Sequence, residues 1–337
     1  MYTIKKLLWK LLIKSFKFMF SGLVTLISFA GILEKMKGGN KHWHGLGTMV
    51  ESALDSREAL IVAGLGWNVV QKPVFTQDGV KVKGYYANVR DYDGSVLGIV
   101  TSRYKVVQNR EAFAFTDGLL GEGVRYETAG SLMGGKKTWI LAKLPEKYII
   151  QGGQVIPYLV FSNTHDGSGA IKIAMTPVRV VCNNTLNLAL DSASRIWSVH
   201  HTGDIAAKME DTKETIYRAE EYMSGLGKAF DTLSKKKLTD AAVKEYISLL
   251  LPVADDVSET AEKNVLRQRE DIMMRYKYAP DLKDIPQNGY RFINAVSDFA
   301  THSRPLRETR NYRETLFNKT MEGNLVTDKA FKLVMAA

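Results

Sequence analysis

The sequence predicts an α+β protein: a mostly antiparallel sheet of about seven strands with short helices, followed by a helical C-terminal half. Two patterns predict it. Between 67 and 182, short β-type runs are divided by glycine-bearing turns, and connections that short join antiparallel neighbours. Beyond 204 the apolar residues step by four and three, the period of a helix.

The chain has 337 residues and opens with a basic, apolar tail over 1–41. Eight lysines there face Glu34 alone, a charge of +7; the chain total is +10, so the other 296 residues carry only +3. The basic character belongs mostly to the tail and says little about what the body binds. Lys6, Lys10 and Lys14 form a stripe on an apolar helix, and 18–33 is free of charge, somewhat short of the about 20 residues of a membrane span. Three readings stay open. The tail is a membrane anchor, which applies only if 1–35 is retained, or a cleaved export signal, or it precedes a working start near Met36.

The body divides into a sheet domain over 42–204 and a helical region over 205–337 packing on it. A short helix is expected over 52–64, ending at Gly64. Strands are expected over 67–74, 80–89 and 95–102, with hairpin turns at Asp78-Gly79 and Asp93-Gly94. A helix over 109–120 follows, with Asn109 as its N-cap. Further strands are expected over 125–131 and 138–144, around Gly134-Gly135, and over 155–162 and 170–182, around Asp166-Gly167-Ser168-Gly169. In the last strand the apolar set changes parity after Pro177. A bulge at Thr176-Pro177 would absorb the change and keep Arg179 on the face of Lys172. Cys182-Asn183-Asn184-Thr185 then reads as the start of a short helix, with Asn184 as its cap.

From Ile205 to Leu233 the apolar spacing holds for four heptads. The seam packs either on the protein's own elements or on a second copy, as a homo-oligomer contact. Other helices are expected over 239–251, 258–277, 289–302 and 327–335.

Several chemistries find no support in the residues. There is no phosphate-binding loop and no Gly-x-Ser-x-Gly nucleophile, and the lone Cys182 excludes a thiolate zinc site. No cofactor is indicated. A hydrolytic or metal-assisted site acting on a phosphodiester or nucleotide would draw on His165 and Asp166, joined by His44 or His200. A second pattern is cations interleaved with aromatics at turns and strand ends: Arg103-Tyr104-Lys105, Lys136-Lys137-Thr138-Trp139, and Lys172 with Arg179. Arg195 and Trp197 follow. Single-stranded nucleic acid asks for cations against phosphates and flat rings against bases.

The body resembles a phage/plasmid-like family of bacterial and viral proteins, a domain of unknown function. The resemblance rests on Trp43-His44-Gly45-Leu46-Gly47, Ala63-Gly64-Leu65-Gly66-Trp67, Tyr85-Tyr86-Ala87-Asn88-Val89-Arg90 and Tyr104-Lys105-Val106-Val107-Gln108-Asn109. It is densest at Ser162-Asn163-Thr164-His165-Asp166-Gly167-Ser168 and Thr176-Pro177-Val178-Arg179-Val180-Val181-Cys182-Asn183-Asn184-Thr185-Leu186-Asn187. It is close over 42–205 and looser toward the C-terminus, and residues 1–35 depart from the pattern. It implies a phage, prophage or plasmid setting and a cytoplasmic product, and it brings no reaction and no catalytic residue. A hairpin sheet followed by a helix is also similar to the core of phage single-strand annealing proteins, an analogy of fold.

The function expected is therefore a non-catalytic module for single-stranded DNA, with Arg103, Lys105, Lys136, Lys137, Lys172 and Arg179 on phosphates and Tyr104 and Trp139 on bases. The alternatives are the hydrolytic site around His165 and an interaction or host-modulating factor working through 205–233.

Overall fold

Strand β1 (Thr48–Met49) leads into α1 (Ser56–Val62), capped by Asp55, whose carboxylate accepts from Glu58 N at 2.8 Å. That bond satisfies one of the amides a helix start leaves free. Strands β2 (Val69–Phe75), β3 (Lys81–Arg90) and β4 (Val96–Thr101) follow. The helix expected over 109–120 is two, α2 (Asn109–Ala114) and α3 (Asp117–Leu120), parted where the Thr116 hydroxyl donates to Phe113 O. Next come β5 (Arg125–Leu132), β6 (Lys137–Lys143), β7 (Tyr148–Ile150) and β8 (Gly153–Thr164). The remaining strands are β9 (Ile171–Arg179), β10 (Asn184–Thr185) and β11 (Ile196–Val199). The helical part holds α4 (Thr215–Lys235), α5 (Asp240–Leu250), α6 (Glu259–Tyr278), α7 (Gly289–His302), α8 (Tyr312–Glu322) and α9 (Leu325–Ala336).

These elements come from a computed structural model, which describes residues 46–114, 116–120, 123–182, 184–190, 195–203, 215–305 and 307–336. The readings of the tail over 1–41 lie outside the described residues. Among the described residues, no helix is long and apolar enough to cross a membrane.

Among the described residues the strands form two antiparallel sheets. The larger has eight strands in the order β1-β5-β6-β8-β9-β10, with β7 beside β8 and β11 beside β9; the smaller is β2-β3-β4. The fold class is α+β, as the sequence predicts.

Both faces of the large sheet are covered. Register sets Lys137, Trp139 and Leu141 of β6 opposite Thr164, Ser162 and Val160 of β8, and the latter two opposite Lys172 and Ala174 of β9. On this face α8 packs Phe317 and Met321 into a cluster with Leu46, Leu132, Trp139, Leu141, Val160 and Ala174. The opposite face carries Ile140, Phe161, Ile173 and Met175, all buried.

Two expectations fail here, for related reasons. Strand β9 pairs β8 in one register from Lys172 to Arg179, without the bulge expected at Thr176-Pro177. A parity change in the apolar pattern is harmless when both faces of a strand are buried, because neither is reserved for polar groups. Lys172 and Arg179 therefore point to opposite faces. The short helix expected at 182–185 is instead strand β10, paired with β9 through Asn184↔Arg179 and Thr185↔Val178. Asn184 caps no helix; its side chain donates to Asp298 Oδ1 at 2.9 Å.

The small sheet rests on the turn that follows β8. Asn88 Nδ2 donates to His165 O at 2.7 Å, and Gly98 lies so close that a Cβ there would stand 2.4 Å from Asp166 Cα. Its inner side packs Trp67, Val69 and Leu97 with Val106. Its outer side faces solvent, with Val70, Tyr85 and Ile99 46%, 47% and 58% exposed.

Helix α7 is the axis of the helical half: its residues from Gly289 to Phe299 are all buried. Gly289 admits the neighbours, since a Cβ would lie 2.7 Å from Val334 Cγ1 of α9 and 2.9 Å from Leu233 O of α4. The heptad seam of α4 closes on the same chain: Ala219, Met223, Leu226, Phe230 and Leu233 are buried, and Phe230 meets Tyr290 edge-on at 5.0 Å. Of the earlier seam positions, 205–214 lie outside the described residues.

Candidate nucleic-acid interface

One end of the large sheet gathers residues from four separate segments. His165 N donates to Lys136 O at 2.7 Å, and Lys137 pairs with Thr164, so the start of β6 lies beside the end of β8. Lys172 at the start of β9 pairs with Ser162 on one side and with Ser198 of β11 on the other. The segment after β4 is tied in twice: Tyr104 OH donates to Thr164 O at 2.6 Å, and Lys105 N donates to His201 O at 2.8 Å. Arg103, Tyr104, Lys105, Lys136, Lys137, Lys172 and His200 thus share one rim.

Within the rim the cations differ in freedom. Arg103 and Lys105 are exposed and Lys136 is half-buried, and among the described residues none of the three has an acidic partner. Lys137 and Lys172 are both engaged by α8. Lys137 Nζ donates to Asn318 Oδ1 at 3.0 Å and sits 5.6 Å from the centre of the Phe317 ring, and burial lowers its pKa. Lys172 is paired with Glu322.

Two predicted contacts do not belong to the rim. Trp139 is 1% exposed, packed against Phe317 at 5.7 Å between ring centres, so no base can reach it. Arg179 lies at the far end of β9, buried, and ion-paired with Asp281 at 2.5 Å. Arg195 is also interior, donating to the carbonyls of Met175 and Met321. The Tyr104 ring already stacks on His201, with centres 4.6 Å apart and planes 16° from parallel. Burial raises the Tyr104 pKa.

His165 occupies the middle of this end of the sheet, fully buried, and serves as a joint. Its Nε2 lies 2.8 Å from Asn109 Oδ1, an atom that can only accept, so that nitrogen carries the proton. The same oxygen accepts from Thr138 Oγ1 at 3.0 Å, and Asn109 Nδ2 donates to Leu65 O at 2.9 Å. Burial, with His201 nearby, lowers the His165 pKa to about 3. A histidine that weakly basic and that enclosed is a poor general base at neutral pH. Asp166 turns away to accept from Ser168 N (2.9 Å) and Ser168 Oγ (2.6 Å). His200 is exposed, and His44 lies outside the described residues. Among the described residues no three histidines, cysteines or carboxylates gather as a metal site.

The residues missed by sequence reasoning are those that fasten and cover: Asn109 and His201 beneath the rim, and Asn318 and Glu322 over it. A signal for the cover was available. Lys137 shares its parity with Trp139 and Leu141, and Lys172 with Ala174, so both cations sit at the ends of apolar rows.

The model of a domain of unknown function (DUF932) matches residues 96–321. No curated protein and no solved structure matches the chain. The matched span runs from β4 to the end of α8, so it takes in most of the helical half as well as the large sheet. By that match the chain belongs to the family of the domain of unknown function DUF932.

Proposed function

We propose that this protein binds single-stranded nucleic acid through the rim, as a non-catalytic module. The observation that carries the reading is the meeting of two segments, one with Arg103 and Lys105 and the other with Lys136, at one end of the sheet, each cation without an acidic partner among the described residues. Phosphates are the natural ligands of such a cluster, and each one neutralised releases counterions. Recognition would be by charge rather than by stacking, because Trp139 is enclosed and Tyr104 is occupied by His201. Asp166, at the same rim, opposes binding modestly. The mobile-element setting implied by the resemblance belongs with this reading.

Three phosphate contacts on a single strand give a slope of about −2 in log affinity against log salt. Binding of a fluorescent oligonucleotide should therefore weaken about tenfold or more between 50 and 200 mM salt. The combined variant Arg103→Glu, Lys105→Glu, Lys136→Glu should lose that binding and keep its fold by circular dichroism. Affinity that ignores salt, or that survives the triple variant, would remove the proposal.

A further inference from the structure

The rim offers cations and no free ring; the small sheet beside it offers both. Strands β2, β3 and β4 contain Lys72, Lys81, Lys83 and Arg90 and no carboxylate. Arg90 is taken by Asp93, but Lys72, Lys81 and Lys83 are exposed and have no acidic partner among the described residues. Of the acids that border the sheet, Asp91 accepts from Asn68 N at 3.0 Å and from Asn68 Nδ2 at 2.9 Å, and Asp78 stands in the hairpin turn.

Register fixes which residues share the outer face. Asn88 and Gly98, paired with each other, face inward to the His165-Asp166 turn. The next pair along, Ala87↔Ile99, with Lys72 opposite Ala87, therefore points outward. So does Tyr85, two residues from Ala87 and opposite Thr101. Its ring is half-exposed and makes no hydrogen bond or ring contact among the described residues. The face runs directly into the rim: Ser102 N donates to Gly84 O at 2.9 Å, and Arg103 follows. A solvent-facing ring beside an aliphatic side chain, flanked by unpaired lysines, suits a strand that stacks its bases while its phosphates are neutralised.

We infer that the outer face of β2-β3-β4 is the base-contacting half of the nucleic-acid site, an inference that rests on the rim reading above. A single strand crosses the sheet with a base stacked on Tyr85 beside Ile99 and with phosphates on Lys72, Lys81 and Lys83, and it continues onto Arg103. Six phosphate contacts in place of three double the expected slope of log affinity against log salt to about −4. All four side chains of the sheet are exposed, so replacing them does not threaten the fold.

Fluorescence anisotropy of the full chain with oligothymidylate of about 15 nucleotides tests this. Tyr85→Ala should weaken binding about fivefold or more at an unchanged salt slope. The same variant should make no difference to an abasic strand of equal length, which the parent should bind more weakly than thymidylate. The combined variant Lys72→Gln, Lys81→Gln, Lys83→Gln should return the slope to about −2. If both variants bind like the parent while Arg103→Glu, Lys105→Glu, Lys136→Glu does not, this inference falls and the rim reading stands. If the parent does not bind at all, both fall. An abasic strand bound as tightly as thymidylate would also overturn the inference. So would Tyr85→Ala that lowers capture by phosphatidylserine vesicles and leaves oligonucleotide binding unchanged.

Discussion

Strand β8 of the large sheet buries ten of its twelve residues, whereas β3 of the small sheet buries two of its ten. The difference comes from what lies on either side. The large sheet has α8 against one face and the opposite face also in the interior, so its strands read as nearly continuous apolar runs. The small sheet has a partner on one side, and its outer row of Val70, Tyr85 and Ile99 meets water. Lys81 and Lys83 of β3 are therefore, for the fold, ordinary surface groups, while Arg90 at its end is paired with Asp93. A cation on β6 or β9 has to be placed at a strand end, covered or paired, and Lys137, Lys172 and Arg179 show each solution.

The contrast can be broken by substitution. Trp139→Ala, on the covered face, should cost about 3–5 kcal/mol, read as a shift in the urea midpoint. A loss below about 1 kcal/mol would mean that α8 does not close over the sheet in solution. A smaller effect is expected from acid at the joint between the sheets. The His165 pKa is about 3 in the fold against 6.5 ordinarily, so the unfolded chain binds the extra proton between those values. Its contribution is complete above pH 6.5 and declines as the pH falls toward 3, with about 2–3 kcal/mol lost by pH 4.5. Denaturation across that range should show a steeper acid loss in the parent than in His165→Asn. Parallel curves would assign the acid loss to carboxylates instead. The smallest effect belongs to the open face. Ile99→Thr should change stability by no more than about 0.5 kcal/mol, and a larger loss would show that something covers that row.

Much of the architecture was legible in the residues. The seven longer strands and most of the helices follow from alternation, turn glycines and the shift of period. Helix α8 was not, since Leu316, Phe317 and Met321 are a sparse apolar face among Arg313, Glu314, Asn318, Lys319 and Glu322. That omission carried through to the site, because α8 is what encloses Trp139, covers Lys137 and pairs Lys172 with Glu322. The convergence of Arg103, Lys105 and Lys136 was readable as composition at strand ends. Their spatial meeting depends on bonds from the Thr164-His165 segment and from His201 that span distant parts of the chain. The misread at Thr176-Pro177 has the same root: parity constrains a strand only when one of its faces is wet.

His165 also bears on the order in which the chain can assemble. Its bonds to Asn109 and to Asn88 reach back 56 and 77 positions, and no local turn or helix can form either one early. The entropy of closing such loops has to be met before the contacts return anything, which makes topologies of this kind slow to fold.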